Sequence, residues 1–405
     1  MRRQLAQLPL HTGSAPAYLF DRMWRLAGAV TMAVVDAYGP AEMLRRLSDP
    51  WWFQAFGCVL GFDWHSSGVT TVTCGAMKEA YKHFGPDMGL HVAGGKGATS
   101  RKTPHEIVDV SERFSIAGGE KLVFASKMSA KVDSAAVQDG YQLYHHAFFF
   151  TDEGRWCVVQ QGMSDATSSA RRYHWLGESV DDFVREPHHA IDDLREQTST
   201  ANDPIAAGQR PGASRPNEQL LLNMVASEAD ANRKGSVDLV GWNPDKLVGE
   251  VRRLTAGPTL FAPEHHEVLP ENVNVDRLEK VIRSAHEEQP ADFTTLLGSK
   301  GVGPATIRAL SLLAELIYDA PPSHRDPADS TKLPPVLANR SWADYSYAHG
   351  GKDGTPHPVD RKTYDTSIHV LTDAVRKARV GDTEKTDALK RLALFDRGPG
   401  AKWPG

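Results

Sequence analysis

Between Ser126 and Trp175 the chain concentrates the residue types that phosphodiester chemistry uses. Cleaving a phosphodiester needs a nucleophile or a base to make one, an acid for the leaving oxygen, and cations for the charge that grows between them. His145 or His146 could act as nucleophile or base, and Asp133 and Asp139 could orient a histidine or hold a divalent metal ion. Lys131, Arg171 and Arg172 could neutralise phosphate charge. Gln160 opens the polar run Gln160-Gln161-Gly162-Met163 and completes the cluster.

Two upstream stretches extend this candidate set. Phe62-Asp63-Trp64-His65-Ser66-Ser67 places a histidine among groups that are costly to bury unless each is paired, so His65 is expected at a site edge. Gly94-Gly95-Lys96-Gly97-Ala98-Thr99-Ser100-Arg101-Lys102-Thr103 has a phosphate-binding composition, with Lys96 as its leading cation. It lacks the spacing of a P-loop.

The elements that must position these residues are partly legible. Residues 16–38 read as a helix ended by Gly39-Pro40, followed by a short helix over 42–47 and the aromatic core run Trp51 to Gly57. Ser66 and Ser67 are good caps for a helix running through Lys78 and Ala80. Leu90 to Ala93 reads as a buried strand feeding the glycine-rich loop, and Thr103-Pro104-His105-Glu106 opens a helix with Glu106 in capping-box position. Ala147 to Phe150, the turn Asp152-Glu153-Gly154 and Trp156 to Val159 form a hairpin.

At 405 residues the chain is long enough for two or three domains. Its net charge of −5 excludes a general electrostatic attraction to nucleic acid, so any such contact must be local. Three scattered cysteines, Cys58, Cys74 and Cys157, fit neither a disulfide framework nor a paired zinc motif. With no signal peptide and no membrane-length apolar run, a cytoplasmic, soluble protein is expected.

Residues 196–217 are rich in Ser, Thr, Gly and Pro and read as a linker. Beyond them the pattern turns helical over 220–229, 245–254, 275–286, 293–297, 304–318 and 364–378. The expected architecture is an α/β (α+β) N-terminal domain over 1–195, followed by an all-α helix-hairpin-helix domain over 218–400. At its centre, Leu297-Gly298-Ser299-Lys300-Gly301-Val302-Gly303-Pro304-Ala305-Thr306 reads as a helix end, a tight glycine turn and a new helix opening at Pro304. Such a turn presents helix N-terminal N–H groups to a phosphate.

That hairpin resembles the phosphate-binding turn of the helix-hairpin-helix DNA glycosylase superfamily. The resemblance implies DNA contact through Lys300, Gly301, Val302, Gly303, Ala305 and Thr306. Thr355-Pro356-His357-Pro358-Val359-Asp360 resembles the segment carrying that superfamily's catalytic aspartate, which would make Asp360 the residue supporting a cationic sugar. Bifunctional members place a catalytic lysine where this chain has Ala305, so lyase chemistry is not implied. The hairpin around residues 145–163 also resembles half of a phospholipase D-like phosphodiesterase, without that family's His-x-Lys lysine. Phe62-Asp63-Trp64-His65-Ser66-Ser67-Gly68, Gly94-Gly95-Lys96-Gly97 and Arg171-Arg172-Tyr173-His174-Trp175 resemble motifs of an uncharacterised bacterial and archaeal domain family that covers the whole chain.

The expected function is DNA processing or repair, with nuclease chemistry at His65, Lys96, Asp133, Asp139, His145, His146 and Gln160 and DNA as partner. The cations Arg171 and Arg172 are expected on its backbone. A monofunctional glycosylase using Asp360 and a non-enzymatic DNA-binding protein are the alternatives.

Overall fold

A computed structural model describes residues 3–9, 17–60, 67–165, 168–185, 221–255, 274–326, 369, 371–378, 381–383, 385, 386, 389 and 390. Its centre is a five-stranded antiparallel sheet in the order β1-β6-β5-β4-β2, formed by β1 (Arg3–Pro9), β2 (His91–Lys96), β4 (Gln142–Phe150), β5 (Trp156–Ser164) and β6 (Ser169–Leu176). A two-residue strand β3 (Val137–Gln138) pairs separately with β7 (Leu222–Asn223).

Helices cover both faces of the sheet. One face carries α1 (Ala17–Tyr38), α2 (Pro40–Ser48), α3 (Pro50–Leu60) and α4 (Ser67–Phe84). Their Val30, Phe53, Phe56 and Met77 pack in one core with Phe149 and Val159 of the sheet and with Leu371. The opposite face is covered by α5 (Thr103–Arg113) and α6 (Gly119–Lys131), with Leu122 and Met128 against Phe148, Val158 and Trp175. The same core continues into the second half of the chain through α7 (Asp230–Val240), α8 (Pro244–Thr255), α9 (Val275–Glu288), α10 (Phe293–Gly298) and α11 (Pro304–Tyr318). Residues on both sides of 196–217 therefore share one apolar interior. A sheet covered on both faces explains why Ala147-Phe148-Phe149-Phe150 shows no alternation with polar residues.

The helices announced by caps and periodicity fall close to their expected ranges, and α11 matches its expected bounds. Three local expectations are corrected. The glycine-rich stretch is not a loop throughout: Gly94, Gly95 and Lys96 pair with Ala147, His146 and His145, and only 97–102 leave the sheet, as a tight helical turn. Gly94 holds φ +88° in the strand, and a Cβ there would sit 2.2 Å from the His146 carbonyl oxygen, so no side chain fits. Glu106 forms no capping box. Its carboxylate accepts from the Gly94 N–H at 2.7 Å and from Lys78 at 2.8 Å, binding α5, α4 and β2 together. Residues 220–229 are not helical as a block; they hold β7 and a short turn, and the helix begins at Asp230. Strands β1 and β6 are additional to the expected elements. Among the described residues no helix is long and apolar enough to cross a membrane.

Candidate functional site

Three doublets decide where the nominated residues go: His145-His146 on β4, Gln160-Gln161 on β5 and Arg171-Arg172 on β6. Consecutive strand residues point to opposite faces. The register aligns His146 with Gln160 and Gln160 with Tyr173, and aligns His145 with Gln161 and Gln161 with Arg172. Each doublet therefore divides, and the expected single cluster becomes two separate networks on the two faces.

On the α6 face, Asp133, Gln160 and His146 do come together. Helix α6 widens beyond Lys131 into one π-helical turn over Val132–Ala136, and Asp133 stands in it. Trp175 Nε1 donates to Asp133 Oδ2 at 2.8 Å, and Gln160 Nε2 donates to the same oxygen and to the Ser129 carbonyl. Because the Gln160 amide nitrogen is so engaged, its oxygen faces His146 Nδ1 at 2.7 Å and accepts from it. His146 Nε2 is then the acceptor for the Ser126 hydroxyl, 3.0 Å away. Ser126, Asp133, His146, Gln160 and Trp175 are all buried. Burial drives the His146 imidazole down to about 4, with the Gln160 bond opposing, so His146 is neutral at pH 7.

Arg171 lies on this face too, and it is not a phosphate clamp. Asp139 Oδ2 accepts from its Nη1 at 2.8 Å, Asp326 takes it bidentately at 2.9 and 3.0 Å, and Tyr141 stacks beneath it with its centroid at 4.6 Å. Burial works against the charge, but Asp326 and Asp139 outweigh it and hold the guanidinium protonated. Asp139 is likewise committed, accepting from the Tyr173 hydroxyl at 3.1 Å as well. A carboxylate that neutralises a buried arginine has no charge to spare for orienting a histidine. Correcting the expectation, Arg171 and Asp139 are a buried tie between the sheet and the 321–326 segment.

The opposite face holds Arg172, His145 and Gln161. Arg172 is fully buried, stacked over Phe53 at 4.7 Å, with Nε donating to His174 Nε2 at 2.9 Å and Nη2 to the Pro50 carbonyl at 3.3 Å. Burial lowers its guanidinium to about 9, with Cys74 and Cys58 opposing. It presents nothing at the surface to a DNA backbone. Gln161 donates to the Ser67 carbonyl at 3.0 Å and to the Tyr144 hydroxyl, and accepts from Thr70. His145 is buried with neither ring nitrogen hydrogen-bonded, and burial, then His146, Lys96 and Lys78, push it down to about 3. A histidine that cannot take up a proton at neutral pH is a poor base for a nucleophile. Lys96 is exposed at the end of β2, its ammonium 5.8 Å from the Tyr144 ring. His65 and Asp360 lie outside the described residues. Among the described residues no group of three or more His, Cys, Asp or Glu is arranged to hold a metal ion.

The glycine turn has the form its sequence announces. Helix α10 stops at Gly298, Gly301 takes φ +83°, and α11 starts at Pro304 behind Gly303, which brings no side-chain cap. Val302 is buried and its N–H donates to the Ser299 carbonyl at 3.3 Å, whereas Lys300, Gly301 and Ala305 are exposed. Thr306 turns inward and is buried. Lys131, a candidate for phosphate, instead donates its ammonium to the Leu297 and Ser299 carbonyls at 2.6 and 2.8 Å. Gln138 donates to the Pro304 carbonyl at 3.0 Å and accepts from Arg308 Nε at 3.0 Å. The turn is thus braced by Lys131 at the end of α6 and by Gln138 of β3.

A third polar group was not nominated from the sequence. His91, at the start of β2, is buried between Phe114 and Phe150 with both ring centroids at 5.1 Å. Its Nε2 is 2.6 Å from Asp152 Oδ1 and its Nδ1 is 2.8 Å from the Tyr81 hydroxyl. The three residues are distant in the chain and belong to α4, β2 and the β4–β5 turn, so no spacing motif announces them.

A two-sided antiparallel sheet with helices on both faces is an α+β architecture. Over residues 4–359 the chain matches the family described as protein of unknown function (DUF763), and it belongs to that family. No curated protein and no solved structure matches it.

Proposed function

We propose that the protein binds DNA through its phosphate backbone, with the 299–306 turn as the clamp of a helix-hairpin-helix module and the end of α6 with β3 as the elements that brace it. The observation that carries this reading is the turn itself. The first-turn N–H groups of α11 are those of Ala305 and Thr306, since Pro304 has none and the Ile307 N–H donates to the Gly303 carbonyl at 3.0 Å, and no side chain caps them. The macrodipole and the exposed Lys300 add positive charge at the same spot. Bracing by Lys131 and Gln138 fixes the turn before a ligand arrives, which lowers the ordering cost of binding. Along α6, Lys121, Phe124 and Lys127 are exposed at helical spacing and lead from the turn toward the opposite end of the helix. This local stripe supplies the cations that a chain of net charge −5 does not supply in bulk.

Fluorescence anisotropy of a labelled duplex at low salt tests the reading. Wild-type protein binds, and Lys300→Glu weakens binding by about tenfold and lowers the salt slope by about one. Absence of binding by the wild type, or equal binding by Lys300→Glu, refutes it. The enzymatic form of the proposal is phosphodiester cleavage on DNA held by this clamp. Its chemistry is better supported at the partly exposed Tyr81–His91–Asp152 group than at the buried His145 and His146.

A further inference from the structure

The geometry points to Tyr81 as a nucleophile toward phosphorus, with His91 as its base and Asp152 as the positioning residue of that base. The inference rests on the DNA-binding reading for its substrate class, a phosphodiester, and on the three side chains for its chemistry. An ionised carboxylate only accepts hydrogen bonds, so Asp152 Oδ1 at 2.6 Å requires the proton on His91 Nε2. In the neutral imidazole Nδ1 is then the lone-pair nitrogen, and the Tyr81 hydroxyl at 2.8 Å donates to it. Hydroxyl, imidazole and carboxylate stand in the order that activates a nucleophile in acyl- and phosphoryl-transfer sites. Two aromatic rings hold the imidazole in place, which fixes the direction of the proton path.

Access separates this group from the Ser126–His146–Gln160–Asp133 chain. That chain has the same hydrogen-bond logic but is wholly buried, whereas Tyr81 is partly exposed and Asp152 is 74% exposed. Charge suits a phosphate as well. Burial raises the Tyr81 phenol, the nearby Arg113 charge opposes this and Asp152 adds to it, so the phenol keeps its proton at rest. Arg113 is exposed and its guanidinium sits 5.2 Å over Phe114, next to Ser115, a non-glycine residue held at φ +56°.

The step balances without a cofactor. Tyr81 Oη forms a bond to phosphorus, its proton passes to His91 Nδ1, and the phosphorus–oxygen bond to the departing sugar breaks. The imidazolium, held by Asp152, then returns the proton to the leaving alkoxide. The products are a phosphotyrosyl diester and a free hydroxyl end, and attack by that hydroxyl or by water reverses or completes the reaction. Helix α6 links this site to the clamp: Ala117, just before it, lies against the β4–β5 turn, and Lys131 at its end holds the hairpin. Thirteen helical residues span about 20 Å, roughly six base pairs of duplex.

Two measurements on the full chain test the inference. In the first, an aryl sulfonyl fluoride is applied and each tyrosine's rate of labelling is read by peptide mass spectrometry. Tyr81 reacts about a hundredfold faster than Tyr38, which is 49% exposed and serves as internal reference. Asp152→Asn, at a side chain 74% exposed, slows Tyr81 at least about tenfold with the Tyr38 rate unchanged, and His91→Gln abolishes the excess. Labelling of Tyr81 no faster than Tyr38, or an unchanged rate in Asp152→Asn, overturns the relay. In the second, a labelled duplex with bridging 5′-phosphorothiolate linkages is mixed with protein and run on a denaturing gel. A covalent adduct that is lost in Tyr81→Phe supports the phosphodiester substrate; an adduct that persists in Tyr81→Phe overturns the assignment. DNA binding without any adduct overturns the phosphodiester as substrate. Fast labelling with no DNA binding instead places the failure in the DNA-binding reading and overturns the substrate assigned here.

Discussion

Replacing His146 with glutamine isolates one buried imidazole and gives a pH signature of known sign. In the folded protein His146 is driven by burial from an ordinary 6.5 down to about 4. As pH falls below 6.5 the unfolded chain takes up this proton and the folded chain does not, so the unfolded state binds more protons and stability drops. The contribution is fully present above 6.5, is lost progressively as pH falls toward 4, and changes no further below that. Between pH 7 and pH 5 the loss amounts to about 2 kcal/mol from this one group. The glutamine put in its place carries no titrating proton, yet its amide can still meet Gln160 and Ser126. Urea unfolding at pH 7 and at pH 5 supplies the numbers, and other titrating groups cancel when the two proteins are compared. The wild type is expected to lose about 2 kcal/mol more than His146→Gln over this interval. Parallel pH dependences for the two proteins would refute the burial assigned to His146 and, with it, the neutral imidazole in the Asp133–Gln160–His146–Ser126 chain.

Two further outcomes follow from the packing. Arg171→Met leaves Asp139, 1% exposed, and Asp326 facing each other without their cation, and is expected to cost about 3–5 kcal/mol by denaturant titration; adding Asp139→Asn and Asp326→Asn should return part of that. Gly94→Ala drives a methyl group to 2.2 Å from the His146 carbonyl and should destabilise by at least about 2 kcal/mol, whereas Gly97→Ala, with open space at its Cβ, should cost about 1. Equal thermal shifts for the two alanine variants would contradict the close approach of β2 to β4.

What the sequence disclosed was local, and what it concealed was set by pairing across the chain. Helix α11 and the Phe150–Trp156 hairpin were legible because caps, periodicity and turn residues act over a few positions. Helix α7 was misplaced because its inward face carries Asn232, Arg233 and Ser236, polar residues that break an apolar period. Their reasons lie far off: Asn232 donates to the Ser311 and Ala320 carbonyls, and Arg233 to those of Met224 and Ala226. The candidate cluster of His, Gln and Arg doublets looked like one site because neighbours in sequence look like neighbours in space. In a strand they are back to back. Conversely, Tyr81, His91 and Asp152 meet only because a helix end, a strand start and a hairpin turn converge, and nothing in their spacing says so.

The three split doublets carry a consequence for how this chain can change in length. A single insertion or deletion within β4, β5 or β6 exchanges inward and outward for every residue beyond it. Here there is no outward: each side of the sheet has its own hydrogen-bonded network, and a slip would deliver Gln161 to the place of Gln160 and Arg172 to the place of Arg171. The chemistry of the swapped residues is nearly the same, yet their partners are not, since Asp133 and Ser126 wait on one side and Thr70 and Ser67 on the other. Length variation should therefore be tolerated in connecting segments and purged from these three strands, and a deep insertion-and-deletion scan would draw their boundaries as sharply as any substitution.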